Sequence, residues 1–444
     1  MRIKPMNVSF ISLGCDKNRV NTEQMMALCL QAGMTVQEDV NGSDAVVINT
    51  CGFIDSAKTE AIETILSAAE LKAAGEVKRI LVTGCLSQRY RREMAQELPE
   101  VDGIMGTADY GHIVEALEQL MAGEAVCRFS PIDSPVEELP RVLSTPRHYA
   151  YLRIAEGCSN RCAYCVIPQL RGPYRSRAME DILTEARALA ADGVRECIVI
   201  AQDITRYGVD LYREKKLPKL LRELCKLDFH WIRLHYLYPD TITDELIDTI
   251  AAEPKICKYI DMPIQHCNDA VLHAMRRRET RAGLTALFTK LRARIPGLVL
   301  RTSLITGLPY EDEAAFEELC DFLGEMQLER VGAFPYSPEE GTPAAEMPNR
   351  VDTDEAVRRA ELVADIQSQV MDQFNDSRLG DLAEVLCDGY DGEAGCCFGR
   401  TYAESPGIDG GVFFTAEREV EPGEFVQVRL TGTMDGDLTG EVAE

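Results

Sequence analysis

Gly157-Cys158-Ser159-Asn160-Arg161-Cys162-Ala163-Tyr164-Cys165 sets three thiols at the spacing C-x3-C-x2-C, directly after an apolar strand, Tyr149 to Ile154. Thiols this close can grip one side of an iron-sulfur cubane. Three thiolates leave one iron open for a reactive ligand, whereas four close the cluster and suit electron transfer. Further strands follow between helical segments at Glu196 to Ile200, Trp231 to His235, Tyr259 to Met262, Leu298 to Leu304 and Arg330 to Phe334. Six βα units are too few for a closed eight-stranded barrel and predict an open (β/α)6 partial TIM barrel, with the cysteine loop at its mouth. The open iron would face the barrel interior, away from water. A zinc site completed by His148 or a fourth cysteine competes with this reading, although structural zinc favours C-x2-C pairs and four ligands.

Upstream, the first 125 residues repeat a simpler unit: apolar strands at Val8 to Leu13, Ala45 to Ile48 and Arg79 to Val82, then helices at about Val20 to Gln31, Ser56 to Lys72 and Gln88 to Leu98. This βαβαβα pattern predicts an N-terminal parallel α/β sheet domain. Cys15, Cys51 and Cys85 fall at the carboxyl ends of the three strands, each beside a glycine, Gly14, Gly52 or Gly84. Ligands bind at that edge of an open α/β sheet, so three thiols far apart in sequence are expected to meet there. Singly, each would read as a small buried hydrophobe. Their matched positions instead suggest a second three-thiolate cluster.

Between Ser130 and Arg147, four prolines alternate with Ser and acidic residues, which reads as an extended linker. A long polar helix is expected at about Val351 to Asn375. The last segment, rich in Gly, Val and Phe with turns at Asp388 to Gly392 and Glu421 to Gly423, reads as a small β-barrel. The expected division is therefore 1–127, a linker at 128–147, 148–377 including the trailing helix, and 378–444.

Composition sets the context. The chain has 444 residues, 45% of them hydrophobic, enough for sizeable cores. The N-terminus carries Arg2 and Lys4 but no apolar export segment, and no apolar run approaches a membrane span. Sixteen cysteines without an export signal point to the reducing cytoplasm, where thiols act as ligands or core residues and not as disulfides. The chain is read as a monomer. A net charge of −26 repels phosphate backbones and favours a basic macromolecular partner, unless it merely keeps the protein soluble.

With an aromatic residue, Tyr164, before its last cysteine, the C-x3-C-x2-C loop resembles the signature of the radical S-adenosylmethionine (SAM) enzymes. In that superfamily the open iron chelates SAM, and reductive cleavage yields a 5′-deoxyadenosyl radical able to abstract hydrogen from an unactivated carbon. The added N-terminal cysteines and C-terminal barrel resemble the methylthiotransferases across essentially the whole chain. The resemblance implies two 4Fe-4S clusters: an auxiliary one on Cys15, Cys51 and Cys85, and a SAM-exchangeable one on Cys158, Cys162 and Cys165. It also implies a TRAM-type C-terminal barrel that selects the macromolecular substrate.

Within that family, Ser12-Leu13-Gly14-Cys15-Asp16-Lys17-Asn18, Ile154-Ala155-Glu156-Gly157-Cys158, Pro168 to Gly172, Gln202-Asp203, Gln265-His266 and Tyr336-Ser337-Pro338-Glu339-Glu340-Gly341-Thr342 look like the RimO branch. That branch methylthiolates the β-carbon of an aspartate in the twelfth protein of the small ribosomal subunit. It uses two SAM molecules, one as methyl donor and one as radical source, together with a sulfur donor and electrons from reduced flavodoxin or ferredoxin. The tRNA branch, typified by MiaB, tends to have Arg and Pro where this chain has Glu339-Glu340. From Arg378 to Glu444 there are four Arg, no Lys and fifteen Asp or Glu, a formal charge of −11. An RNA-reading barrel should be basic, whereas an acidic one steers in a basic ribosomal protein.

Tyr164, Gln202, Asp203, Thr306 and Gly307 resemble positions where the superfamily contacts SAM; ordinary strand-end turns are the plainer reading of the last four. Tyr310 stands where relatives usually have Gly, and Asn21-Thr22 where they usually have Asp-Ser. The runs Arg276-Arg277-Arg278 and Arg171, Arg175, Arg177 read as solvated faces, or as contacts to an anionic substrate or the SAM carboxylate. The other ten cysteines read as core or incidental thiols. Two alternatives stay open: a tRNA adenosine methylthiotransferase, and a non-catalytic iron-sulfur carrier.

Overall fold

Apolar runs with no polar alternation, such as Ala45–Ile48 and Ile80–Val82, suit strands covered on both faces, and every one of these side chains is buried. They form the middle of a six-stranded parallel sheet: β1 (Asn7–Ser12), β2 (Thr35–Gln37), β3 (Ser43–Thr50), β4 (Val77–Gly84), β5 (Gly103–Met105) and β6 (Val126–Arg128), in the order β2-β1-β3-β4-β5-β6. Three central strands were legible in the sequence. The other three, of three residues each, are too short to show a period. The helix expected at Gln88 to Leu98 is instead two short ones, Cys85–Arg89 and Arg91–Glu97, broken at Tyr90, whose backbone (φ −117, ψ 37) leaves the helical region. The computed structural model describes residues 6–443, so Arg2 and Lys4 lie outside the described residues.

Strand β7 (Tyr149–Arg153) begins a second sheet. After it, β8 (Ala155–Glu156) and β9 (Arg175–Ser176) pair antiparallel and bracket the cysteine loop. Strands β10 (Glu196–Ile200), β11 (Trp231–Leu234), β12 (Ile256–Asp261), β13 (Val299–Thr306) and β14 (Arg330–Pro335) join β7 in the order β14-β13-β12-β11-β10-β7. All six run parallel, and β7 and β14 are free edges, so this sheet is open as expected.

The helix Thr353–Asp376 leads to β15 (Leu382–Asp391), β16 (Cys396–Arg400), β17 (Val412–Thr415), β18 (Phe425–Met434) and β19 (Asp437–Val442), which close into a barrel. Its interior is filled by Val385, Cys387, Val412, Phe414, Val428 and Leu438. The turn expected at Asp388 to Gly392 is displaced. The ladder of β15 continues through Asp391 across a bulge between Cys387 and Gly389, and the chain reverses at 392–395.

By contacts, the described residues fall into two compact units. One comprises the chain up to Ser144 with Ala155–Arg177 and Ser337–Ala345; the other comprises Thr145–Ile154, Ala178–Tyr336 and the chain from Glu346 onward. In the first, the proline-rich stretch is irregular but anchored. Buried Glu23 accepts from Arg141 Nε and from the Ser144 backbone N–H and hydroxyl, and Glu138 accepts from Arg177 Nε at 2.8 Å.

In the second unit the C-terminal barrel packs against the amino-terminal ends of the parallel strands. Glu196, the first residue of β10, is fully buried and accepts from Arg233 Nε (2.6 Å) and Arg400 Nη1 (2.7 Å). Arg400 also donates to Asp388, which pairs with His148 Nε2 at 2.8 Å. Burial alone would raise the Glu196 carboxyl, yet Arg400 and Arg233 hold it below its ordinary value. Nearby, buried Glu404 accepts from Arg330 (2.9 Å) and Arg378 (2.7 Å), and burial notwithstanding they draw its carboxyl down to about 2. Trp231, Tyr259, Val299 and Leu386 fill the seam between these charges.

Candidate functional site

All six candidate cysteines belong to the first unit, and every thiol in the described residues is free of disulfides. Cys15 is exposed and N-caps the helix Asp16–Gln31. Cys51 follows β3 and is half-buried, and Cys85 opens the helix after β4 and is buried. The three strand ends converge: a Cβ on Gly14 would meet Cys51 Cβ, and one on Gly52 would lie 3.1 Å from the Cys85 carbonyl carbon. The Cys51 thiol is pushed up to about 12, first by burial and then by Cys85 and Cys15.

Two glycines make the loops possible. Gly14 takes φ +84, and a Cβ there would lie 2.6 Å from Cys51 Cβ. Gly157, before Cys158, takes φ +78, and a Cβ there would lie 2.2 Å from Pro173 O. Each therefore needs both a left-handed backbone and the missing side chain. Asn18 fixes the same strand ends from the first turn of its helix: its Nδ2 donates to Leu13 O (2.8 Å) and Thr50 O (3.0 Å).

The second triad sits on the loop between β8 and β9. Cys162 is buried, Cys158 and Cys165 are half-buried, and Cys158 N–H donates to Gly172 O at 3.1 Å. The segment Ser337–Ala345 packs on both triads' supports. Ala344 N–H donates to Ala163 O (2.9 Å), and Gln169 Nε2 donates to Gly341 O (2.8 Å). Glu339, 2% exposed, takes bonds from Lys58 Nζ (3.0 Å), Arg89 Nη1 and Ser337, while Arg89 Nη1 also donates to Gly52 O beside Cys51. Glu339, read in the sequence as a mark of substrate branch, is thus an internal clamp; spacing offers no sign of it, because its partners lie some 250 residues away.

Arg171 corrects the solvated-face reading. It is buried, with Nη2 on Asn18 Oδ1 (2.5 Å), Nη1 on Asn21 Oδ1 (2.8 Å) and Nε on Cys85 Sγ (3.4 Å). Burial raises the Cys85 thiol, and Arg171 opposes that rise. Asn21 supplies an acceptor that Arg171 needs. Arg177 is buried against Glu138, and Arg175 donates to the carbonyls of Arg171 and Pro173. In the other basic run only Arg277 is buried, over the Tyr238 ring at 4.2 Å, while Arg278 pairs with Asp240.

The remaining sequence candidates divide between the units. Tyr164 lies on the cysteine loop, whereas Gln202, Asp203, Thr306 and Gly307 belong to the second unit. Asp203 is buried and caps the turn Ile204–Arg206 through Thr205 N–H at 3.0 Å. Thr306 Oγ1 donates to Ala356 O at 2.8 Å. Gly307 N–H donates to Glu311 Oε2 at 2.9 Å, and Glu311 is held in turn by Arg359. Tyr310 adopts φ +69, the region where glycine costs least. Of the other ten cysteines, Cys29, Cys197, Cys257, Cys267, Cys387 and Cys397 are buried.

The donor sets suit iron-sulfur clusters. Each is three thiols on glycine-shaped loops, and nearby thiolates accumulate negative charge that iron would neutralise. Among the described residues no three His, Cys, Asp or Glu side chains converge as a single-ion site would require, and His148, the candidate fourth zinc ligand, pairs with Asp388.

Known proteins match this arrangement. Residues 7–106 match an uncharacterised protein family, UPF0004, residues 152–323 the radical SAM superfamily, and residues 379–443 the TRAM domain. A protein of Caldanaerobacter subterraneus subsp. tengcongensis named ribosomal protein uS12 methylthiotransferase RimO is 46% identical over 437 residues, 98% of this chain and 99% of its own. The protein of that name from Clostridioides difficile is 44% identical over 439 residues, 98% and 99%. Among solved structures, the radical SAM methyltransferase TsrM of Kitasatospora setae, with cobalamin and a [4Fe-4S] cluster bound, shares the fold. Its TM-score is 0.57 at 13% identity, over 77% of each chain. The cobalamin-dependent radical enzyme OxsB gives 0.53 at 13% identity, over 82% of this chain and 56% of its own.

Proposed function

The chain belongs to the RimO family of ribosomal protein uS12 methylthiotransferases, and from that premise we propose that it places a methylthio group on the β-carbon of an aspartate in uS12. It is a transferase with a radical SAM domain. The observation that carries the proposal is the presence of two three-cysteine sets in one compact unit, each on loops shaped by left-handed glycines.

In this reading Cys158, Cys162 and Cys165 hold the cluster that takes SAM, and Cys15, Cys51 and Cys85 hold an auxiliary 4Fe-4S cluster. Bound there, clusters and SAM supply one-electron chemistry at an unactivated carbon and a transferable methyl group, which no side-chain acid or base provides. The chain's own residues hold and shape the sites. Asn18 pins the strand ends that present Cys15 and Cys51. Glu339, through Arg89 and Lys58, holds the segment that packs on the cysteine loop. Glu311 fixes the Gly307 backbone.

Tyr164, Gln202, Asp203, Thr306 and Gly307 are proposed to face SAM. Reduced flavodoxin or ferredoxin would deliver electrons, and a separate donor the sulfur. The segments 1–127, 128–147, 148–377 and 378–444 are proposed as the auxiliary-cluster domain, linker, radical domain with trailing helix, and substrate-selecting barrel. The acidic balance of the last suits a basic ribosomal protein. Among the described residues no helix is long and apolar enough to cross a membrane, in keeping with work on ribosomes in the cytoplasm.

The test is the mass of uS12 from cells with and without this chain, with tRNA nucleosides measured from the same cultures. Loss of one methylthio increment from uS12 is expected. An unchanged uS12 beside missing methylthioadenosine would move the chain to tRNA.

A further inference from the structure

Arg171 ends the short helix Ile167–Arg171 and is 4% exposed. A buried guanidinium needs compensating charge, and one meant only to neutralise a carboxylate normally grips it with two parallel bonds. Arg171 does otherwise. Its carboxylate, Glu156, lies 3.5 Å from Nη1 and is its most distant oxygen partner, while the shorter bonds go to the neutral oxygens of Asn18 and Asn21. Nε points at the Cys85 sulfur, 3.4 Å away, a normal length for a bond to sulfur. Positive charge is thereby held against a thiol and not fully spent on Glu156. The partners also come from separate places: Asn18 and Asn21 from the helix after Cys15, Cys85 from the end of β4, and Glu156 two residues before Cys158.

We propose that Arg171 is a positioning residue for the auxiliary cluster: its Nε–H bond to the Cys85 sulfur and its buried charge favour the reduced cluster, and its other N–H groups tie the two cysteine segments together. This rests on the reading that Cys15, Cys51 and Cys85 hold a 4Fe-4S cluster. Reduction adds one negative charge, and both an N–H donor to sulfur and an adjacent cation stabilise the more negative state, which raises the potential.

The test uses the full chain with Cys158, Cys162 and Cys165 changed to Ala, so that only the auxiliary cluster loads. Iron and sulfide are counted, and the midpoint potential is followed by EPR-monitored titration for Arg171, Arg171→Lys and Arg171→Met. Arg171→Met is expected to move the midpoint downward by about a tenfold change in the reduced-to-oxidised ratio, ~59 mV for a one-electron couple. Arg171→Lys, which keeps the charge but not the Nε bond, is expected to fall between. Because Arg171→Met leaves Glu156 buried and could block folding, the unsubstituted Arg171 chain is also labelled with 15N in its arginine side chains. Pulsed EPR of its reduced cluster should show a coupling to 15N. A loaded Arg171→Met chain with unchanged potential, or no 15N coupling with Arg171 present, overturns the proposal. Failure of the Arg171 chain to load any cluster overturns both this proposal and the auxiliary-cluster reading beneath it.

Discussion

The cysteine region and the seam beneath the C-terminal barrel both bury charge, but they are built in opposite ways. In the first, thiols stand on short loops set by nearby glycines, and the buried Arg171 reaches Cys85. In the second, each buried carboxylate is shared by two arginines: Glu196 by Arg233 and Arg400, with Asp388 as a further partner of Arg400, and Glu404 by Arg330 and Arg378. Thiols gathered on loops are donors for a metal guest, whereas carboxylates already held by arginines serve to hold elements together. The contrast teaches that four of the second unit's arginines serve packing and are not available to a phosphate backbone. Two of the four arginines counted in the acidic C-terminal segment, Arg378 and Arg400, are among them, so its outer surface is poorer in positive charge than the sequence count implies.

The two regions should fail differently. Cys158→Ala should abolish methylthiolation of uS12 and about halve the iron per chain, with the thermal midpoint of the apo-protein little changed; a mass shift of uS12 persisting in this variant would sink the cluster assignment. Glu196→Ala should do the reverse. It leaves buried Arg233 without a carboxylate and Arg400 with Asp388 alone, which costs about 3–5 kcal/mol, and urea unfolding should show it while iron content holds. Loss of less than ~1 kcal/mol would mean the seam is hydrated and not closed.

Acid separates the regions next. The Glu404 carboxyl titrates near 2 in the fold, against an ordinary value of 4.5. Its stabilising effect is therefore complete above about pH 4.5 and is lost as pH falls toward 2, roughly 3 kcal/mol in all. Glu404→Gln should flatten the pH dependence of unfolding in that window; an unaltered slope would remove Glu404 from the seam's balance. The smallest effect is expected at Arg418, whose bond to Glu424 lies on the exposed barrel surface. Arg418→Ala should leave the thermal midpoint unchanged within error, and a clear drop would show that surface pairs also hold the barrel.

Much of the site was legible in sequence because the information is local. C-x3-C-x2-C needs only eight consecutive residues, and Cys15, Cys51 and Cys85 each follow a strand whose apolar run marks its end. The six parallel strands of the second sheet were read for the same reason. The short strands β2, β5 and β6 were not, because three residues carry no period. Asp388 to Gly392 misled because its turn-forming residues sit in a ladder that continues past them. Arg171 and Arg177 read as solvated because a charged residue in a loop is normally exposed, and only the fold shows Asn18, Cys85 and Glu138 closing over them.

The sequence by itself determined the two cysteine sets, the alternation of strands and helices, and so the kind of chemistry, since each depends on residues close together along the chain. Tertiary structure alone decided that Glu339 clamps Lys58 and Arg89, that Arg171 meets Cys85, and that Glu196 joins Arg233 to Arg400. These pairings span tens to hundreds of residues. Which opposite charges meet is set by how the strands and helices pack, and no spacing along the chain encodes it.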